Sequence, residues 1–266
     1  MSKLAREIHR HPTIQLLGLA VFAWLAWSWL HLPRHIPKDV VPYLTSLPQN
    51  VVFKCQQEGN TLYPGAWADL LAIRTTLPES SAEQLTKQLT TGITFKRLTW
   101  STIASPLRQS IIRKRIILRY YPFYQPSRYV FPVVGYTWYS DTFGADREGG
   151  KRQHQGTDLF AGEGTPLISA SNGRVERLGW NRLGGERVGV RGDDGNYYYY
   201  AHLAQISPAL VLGKKIKKGD PIGTMGHTGD AITTPDHLHF GIELANGQWI
   251  NPYPFLVIWQ YYRHYS

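Results

Sequence analysis

The chain has 266 residues, 42% of them hydrophobic, and a formal net charge of +10. Nine tryptophans and sixteen tyrosines exclude a disordered chain, and the length suits one large domain or two smaller ones. The single cysteine, Cys55, excludes an intrachain disulfide framework and a cysteine-based zinc site, so a bound metal would need histidine and carboxylate ligands.

An apolar stretch of twenty residues runs from Thr13 to Leu32. As a helix it would be about 30 Å long, which is enough to cross a bilayer. Basic residues are more frequent before it than just after it, and this bias favours a cytoplasmic N-terminus at residues 1–12. Ala26-Trp27-Ser28 offers a poor cleavage site, so we expect an uncleaved transmembrane signal anchor at 13–32 and not a signal peptide. The remainder would then lie outside the cytoplasm.

Residues 33–128 form a separate segment that opens with prolines at 33, 37, 42 and 48, which is typical of an extended linker. Helices are predicted after it. Ala66 to Arg74 has helical composition, and Ser80-Ser81-Ala82-Glu83 is a capping-box pattern that would begin a second helix. A third candidate helix runs from Ile111 to Leu118. We therefore expect a small, mostly helical segment next to the membrane.

This segment is strongly basic. Between Gln84 and Ser140 there are nine Lys or Arg and no acidic residue: 87, 96, 97, 108, 113, 114, 115, 119 and 128. Nucleic acid is not expected outside the cytoplasm, whereas anionic lipid headgroups or acidic wall polymers are suitable partners. The alternative is a solvated basic helix with no partner.

Near Tyr129 the pattern changes to short β-rich runs separated by Gly, Asp and Asn turns. The chain from 129 to 256 contains five strand candidates and no convincing helix. We expect a mainly β fold, an antiparallel β-sheet or sandwich, followed by a C-terminal tail at 257–266. The strand candidates are Leu167–Ala170, Gly173–Leu178, Arg187–Arg191, Tyr197–His202 and Leu238–Leu244.

Within this domain, His237 and His239 lie on one face of a predicted strand whose other face is apolar. Upstream, a bend at Gly156 would let His154 and Asp158 approach one ion, which they could not share along a straight strand. These two residues and one imidazole of the His-x-His pair could form a zinc site with water in the fourth position. Zinc lowers the pKa of such a water toward about 7. The alternative is that these histidines are merely solvated.

Tyr197-Tyr198-Tyr199-Tyr200-Ala201-His202-Leu203 is predicted to be another strand, and strict alternation places Tyr198, Tyr200 and His202 on one face. The sequence thus offers a further imidazole. Histidines that do not bind the metal could accept a proton from the water and donate a hydrogen bond to a developing oxyanion.

These motifs, in this order, resemble the lysostaphin-like (LytM-type) zinc metallopeptidases, bacterial enzymes that cut peptides in peptidoglycan. The resemblance covers about Phe131 to Leu256. It implies a β-sandwich with the site in a groove, with His154, Asp158 and His239 as zinc ligands and His202 and His237 as catalytic histidines. The motifs are His154-Gln155-Gly156-Thr157-Asp158, Gly164-Thr165-Pro166-Leu167, Gly173-Arg174-Val175, Tyr200-Ala201-His202-Leu203, Gly219-Asp220-Pro221-Ile222-Gly223, Gly226-His227-Thr228-Gly229 and His237-Leu238-His239-Phe240.

One departure from the family is Thr234-Pro235-Asp236, where a Gly-Pro pair is common. It adds a carboxylate beside His237 and leaves substrate preference and the pKa of that histidine open. His227 lies in a turn that varies in the family, so we expect it to contact substrate or to be simply exposed.

The resemblance implies a membrane-anchored endopeptidase with one zinc ion that hydrolyses stem peptides or cross-bridges, held in the bacterial cell membrane by a single span. A different hypothesis is a catalytically silent zinc-binding envelope protein that activates or scaffolds wall remodelling. The five complete site positions favour the enzyme. A polyanion-binding tether would leave those positions unexplained.

Overall fold

The structure is a computed structural model that describes residues 40–59 and 61–265. From Val41 onward the described residues belong to one compact unit. The predicted signal anchor at 13–32 and the N-terminus at 1–12 lie outside the described residues. Among the described helices, none is both long enough and apolar enough to cross a membrane.

The first part of the compact unit is helical. Its helices are α1 (Val41–Thr45), α2 (Gln49–Gly59), α3 (Ala66–Arg74), α4 (Glu79–Thr90) and α5 (Ser105–Tyr120), with a 3-10 turn at Phe95–Arg97 between the last two. The helix predicted at Ala66 to Arg74 has the observed bounds. Helix α4 begins one residue before the predicted capping box, and no side chain caps it. The predicted third helix is the centre of α5.

Helices α3 and α5 are joined by a buried carboxylate. Asp69 is inaccessible to solvent and accepts hydrogen bonds from Tyr63 (2.7 Å), Arg115 (2.6 Å) and Arg119 (3.2 Å). Lys114 donates to the carbonyl of Thr75 at 2.9 Å. Three of the nine basic residues are therefore internal contacts of the helical segment, which differs from the predicted solvated helix. The sequence pattern missed this because Asp69 lies outside the acid-free window.

The described residues of the second part form twelve strands, one further helix and a 3-10 turn at Gly229–Ala231. The strands are β1 (Trp138–Tyr139), β2 (Asp146–Arg147), β3 (Arg152–Gln153), β4 (Thr157–Phe160), β5 (Pro166–Ile168), β6 (Gly173–Asn181), β7 (Gly185–Gly192), β8 (Tyr197–Ile206), β9 (Lys215–Ile216), β10 (Pro221–Met225), β11 (His237–Glu243) and β12 (Trp249–Ile250), and the helix is α6 (Tyr253–Tyr265).

The mainly antiparallel β class is confirmed. Seven strands follow the order β1-β4-β11-β8-β7-β6-β9, and β5, β10 and β12 pair beside this path. Within the described residues, β2 and β3 form a separate pair, and ten strands are thus connected by hydrogen bonds in one sheet. The reason is the length of β8: its first half pairs with β11 and β7, and its last residues pair with β10.

Aromatic side chains from both parts of the unit fill a common core. Trp259 of α6 donates its indole N–H to the carbonyl of Phe123 at 2.7 Å and stacks on Tyr129. Phe255 stacks on Phe123, and Phe240 of β11 meets the edge of Trp259. The predicted C-terminal tail at 257–266 is therefore largely a helix that completes the core. The short apolar run in it has no clear period, so the sequence did not distinguish it from a tail.

Candidate metal centre and active site

Three potential metal ligands converge where β4 and β11 lie side by side. His154 Nε2 is 2.9 Å from both Asp158 Oδ1 and His239 Nδ1, and the last two atoms are 3.1 Å apart. His154 and Asp158 are buried and His239 is nearly so. His154 Nδ1 donates to the carbonyl of Thr142 at 2.9 Å, so in the neutral ring Nε2 keeps its lone pair. Two imidazole nitrogens and one carboxylate oxygen form a set that suits zinc.

The strand pairing explains this convergence. In the register of β11 and β4, His239 is opposite Asp158, which brings their side chains together. Gly156 allows the close approach, because a Cβ there would lie 2.6 Å from the His239 ring and from the carbonyl of Phe240. The chain also bends at Gly156, between β3 and β4, as the sequence predicts. The missing side chain at Gly156 thus serves the bend and leaves room for the imidazole.

The charge of Asp158 is stabilised by its neighbours. Burial disfavours the carboxylate, but hydrogen bonds and charge interactions with His154 and His239 outweigh that cost and hold its pKa well below the usual range. Its other oxygen, Oδ2, accepts a hydrogen bond from Arg147 at 2.7 Å. Burial lowers the pKa of His239, which favours the neutral ring that binds metals. Sequence reasoning missed Arg147, which follows a loop without a motif.

His202 lies beside this set because β8 is irregular there. Its φ is +66°, one of two positive values among the described non-glycine residues. The register between β7 and β8 shifts at the same place, between the pairs Glu186–Leu203 and Val188–Tyr200, which marks a β-bulge. The predicted alternation is therefore wrong at this residue. Tyr198 and Tyr200 point into the core, whereas His202 lines the open groove.

In both predicted catalytic histidines, Nδ1 is bound to a backbone carbonyl and Nε2 is left for other partners. His202 Nδ1 donates to the carbonyl of Thr228 at 2.8 Å, and His237 Nδ1 donates to the carbonyl of Pro235 at 2.8 Å. Nε2 of each neutral ring is then an acceptor. His237 Nε2 is 3.9 Å from Asp158 Oδ1, and the His202 and His237 ring centroids are 4.9 Å apart. Burial lowers the pKa of His202 to about 4, so its ring is neutral at pH 7.

The three potential metal ligands and the two predicted catalytic histidines line one cleft of about 1010 Å³. Residues of β2, β3, β6, β7, β8 and β11 contribute to its walls, together with the turn that contains Asp230 and Ala231. The cleft is open, so an extended peptide has access to the histidines. Tyr199, which the sequence did not single out, places its ring 6.0 Å from that of His239.

Asp236 and His227 form a pair, and neither residue lines the cleft. His227 Nδ1 donates to Asp236 Oδ1 at 2.6 Å, and Asp236 Oδ2 accepts the backbone N–H of Glu163 at 3.1 Å. The Asp236 carboxylate, which we expected beside His237, is thus hydrogen-bonded to His227. His227 does not line the cleft.

Comparisons with known proteins identify this part of the chain. Residues 152–252 match the model of peptidase family M23. The L-Ala--D-Glu endopeptidase of Bacillus subtilis (strain 168) is 40% identical over 147 residues, which are 51% of this chain and 45% of that protein. The peptidoglycan DD-endopeptidase ShyC of Vibrio cholerae is 38% identical over 101 residues, 38% of this chain and 22% of its own length. The chain spans less than half the length of these two curated relatives.

A solved structure named as a putative glycyl-glycine endopeptidase lytM from Ruminococcus gnavus ATCC 29149 is 26% identical, with a TM-score of 0.53 over 84% of this chain and 93% of that one. This match includes most of the compact unit. The resemblance to LytM-type peptidases is therefore confirmed, and residues 152–252 of this chain form a domain of peptidase family M23.

Proposed function

We propose that the chain is a zinc metalloendopeptidase that hydrolyses peptide bonds in peptidoglycan stem peptides or cross-bridges. The observation that carries this proposal is the convergence of His154, Asp158 and His239 in an open cleft, next to two imidazoles with free Nε2 atoms. The names of the curated relatives, which describe endopeptidases, agree with it.

His154, Asp158 and His239 would hold one zinc ion. When bound, zinc supplies Lewis acidity, which polarises a peptide carbonyl and lowers the pKa of a water. Arg147 orients Asp158 by binding its second oxygen, so that Oδ1 faces the two imidazoles. The carbonyl of Thr142 fixes the tautomer of His154 in the same way.

His202 and His237 would transfer protons. Their Nδ1 atoms are occupied by backbone carbonyls, so only Nε2 can accept the proton of the attacking water. Once protonated, the same atom can donate a hydrogen bond to the oxyanion or a proton to the leaving amine. The low pKa of His202 keeps its ring neutral at pH 7, so that its Nε2 has a lone pair for the proton.

A digest of purified peptidoglycan tests this proposal. The full-length protein loaded with zinc should release fragments whose new termini mass spectrometry identifies, and His202→Ala should release them at a rate lower by a factor of about 10²–10⁴. If the unmodified protein released nothing from walls of several chemical types, we would adopt the catalytically silent envelope protein instead.

We further propose that residues 13–32 anchor the protein in the bacterial membrane with the peptidase domain outside the cytoplasm. The length and apolar composition of this stretch support the anchor. Exposed basic side chains of the helical segment could then contact anionic lipid or wall polymer, each contributing about 1 kcal/mol near an anionic surface. They are Lys87, Lys96, Arg97, Arg108, Arg113 and Arg128.

Fractionation with N-terminal sequencing tests the anchor. The intact protein should sediment with membranes, and added protease should reach its peptidase domain in spheroplasts. A soluble mature form beginning near Trp29 would contradict the anchor, and protection of the domain would contradict the orientation.

A further inference from the structure

The active-site cleft carries an excess of positive charge. Four arginines and three carboxylates line it, and all three carboxylates are engaged by two of the arginines. Arg147 pairs with Asp158 at 2.7 Å, and Arg152 pairs with both Glu148 (3.3 Å) and Asp230 (2.6 Å). The remaining two arginines, Arg177 and Arg187, pair with none of the described carboxylates.

Arg177 on β6 and Arg187 on β7 form no ion pair with any acid in the described parts of the chain. The nearby Glu176 is already bound by Arg191 at 2.7 Å. Arg187 is only partly exposed, and its buried Nε–H has no hydrogen-bond partner among the residues that the structure describes. A buried guanidinium N–H without a partner is costly, and a ligand that accepts its hydrogen bond would remove the cost.

The two arginines lie on the catalytic side of the sheet. Arg187 falls between the β7 residues that pair with Leu203 and Tyr200, so it is opposite the bulge that carries His202. Arg177 is opposite Gly189 on the neighbouring strand. A Cβ at Gly189 would lie 2.0 Å from the Tyr197 hydroxyl. The Tyr197 ring therefore lies directly over the Gly189 backbone.

The charges of both arginines affect the pKa of Tyr197. Burial raises the pKa of Tyr197 to about 12, and the positive charges of Arg187 and Arg177 partly oppose this shift. Both guanidinium groups therefore act on one phenol within the cleft. A peptide that lies along β7 and β8 from His202 toward Tyr197 would pass both.

We propose that Arg177 and Arg187 form a subsite that binds a carboxylate of the peptide substrate next to the bond that is cut. Guanidinium groups bind carboxylates with two parallel hydrogen bonds, which makes them selective for this group. This inference rests on the proposed peptidase function and makes it more specific. A stem peptide carries free carboxylates, whereas the interior of a glycine bridge carries none, so the subsite favours stem peptides.

A panel of four soluble peptides tests the subsite. Each is L-Ala-γ-D-Glu-L-Lys-D-Ala, with the α-carboxyl of D-Glu and the C-terminal carboxyl each present either as the acid or as the amide. With the zinc-loaded full-length protein, amidation at one of the two positions should lower kcat/KM about tenfold or more, mainly through KM. The position that matters identifies the carboxylate that is bound.

In Arg177→Gln and Arg187→Gln this preference should fall to about one. Arg187→Lys should retain part of it, because it keeps the charge but loses the planar pair of donors. The matched control is Lys215→Gln, which removes one exposed positive charge from β9 in the same domain and should keep the full preference. Equal cleavage of all four peptides by the unmodified protein would overturn the subsite and leave the peptidase function intact.

Measuring peptide binding without cleavage tests the carboxylate subsite separately from the proposed peptidase function. Titration calorimetry of the same peptides into zinc-loaded His202→Ala should show the same preference for the acid form without cleavage. Selective binding that Arg187→Gln abolishes, in a protein that cleaves no peptide or wall, would support the subsite and refute the peptidase function. Binding without preference would overturn the subsite.

Discussion

At the scale of single residues, the five histidine and aspartate positions named from motifs meet in one cleft, but the reasons differ from those the sequence suggested. His239 and Asp158 meet because they are opposite each other across two strands. His202 reaches them only through a bulge that alternation could not reveal. Arg147 was not predictable, because its importance depends on a contact between separate strands.

The roles of these residues stay a prediction that metal analysis can separate. His239→Ala and Asp158→Ala should lose most bound zinc, because each removes one of three ligands. His202→Ala should keep the zinc stoichiometry and lose wall-cleaving activity by a factor of about 10²–10⁴, because in the proposed mechanism its imidazole transfers a proton and is not one of the three ligands. Elemental analysis and zymograms measure the two effects.

His227→Ala is the matched control, since it removes an imidazole that does not line the cleft. It should keep both zinc and activity. Retention of stoichiometric zinc by His239→Ala, with unchanged affinity, would show that the ligand assignment is wrong.

At the scale of elements, sequence patterns located helix α3 and the core strands, because each has a clear composition or period. They did not identify α1 or α2, which lie in or just after the proline-rich stretch, or α6. They also could not show how α3 and α5 associate. That contact depends on Asp69, a buried acid whose two arginine partners are 46 and 50 residues away in the chain.

Replacing Asp69 should therefore destabilise the helical segment. In Asp69→Ala the guanidinium groups of Arg115 and Arg119 would remain without their counter-ion, at a cost of about 3 kcal/mol in the free energy of unfolding. This is the low end of the usual range, since both arginines partly reach solvent. Urea unfolding followed by tryptophan fluorescence measures the change.

Glu83→Ala, at an exposed acid of α4, is the control and should change the unfolding free energy by less than about 0.5 kcal/mol. Equal stability of the two variants would mean that the charge cluster contributes no net stability.

At the scale of the whole molecule, the described helical and β parts share one core. The predicted domain boundary at residue 129 divides this core. Phe123 and Tyr124 precede that boundary, yet both pack against Phe255 of α6, and Phe123 also binds Trp259. The family motifs could not show this, because the match covers only residues 152–252 and the helices lie outside it.

A fragment of residues 129–266 should consequently be less stable than one of residues 41–266. Loss of the buried Phe123 and Tyr124 side chains exposes Phe255 and leaves the Trp259 N–H without its acceptor, and each large aromatic removed from a core costs about 3–5 kcal/mol. Thermal unfolding of the two zinc-loaded fragments measures the difference. Equal midpoints would show that the β part folds independently of the aromatic contacts.

The left-handed backbone at His202 has a consequence for how this protein balances stability against activity. An L-residue in that conformation costs about 1–2 kcal/mol relative to glycine, so folding alone would favour glycine at position 202. Of two inactive variants, His202→Gly should therefore be more stable than His202→Ala. Under the proposed catalytic role of His202, a stable fold and a working imidazole place opposite demands on this position, and histidine is retained at a cost in stability.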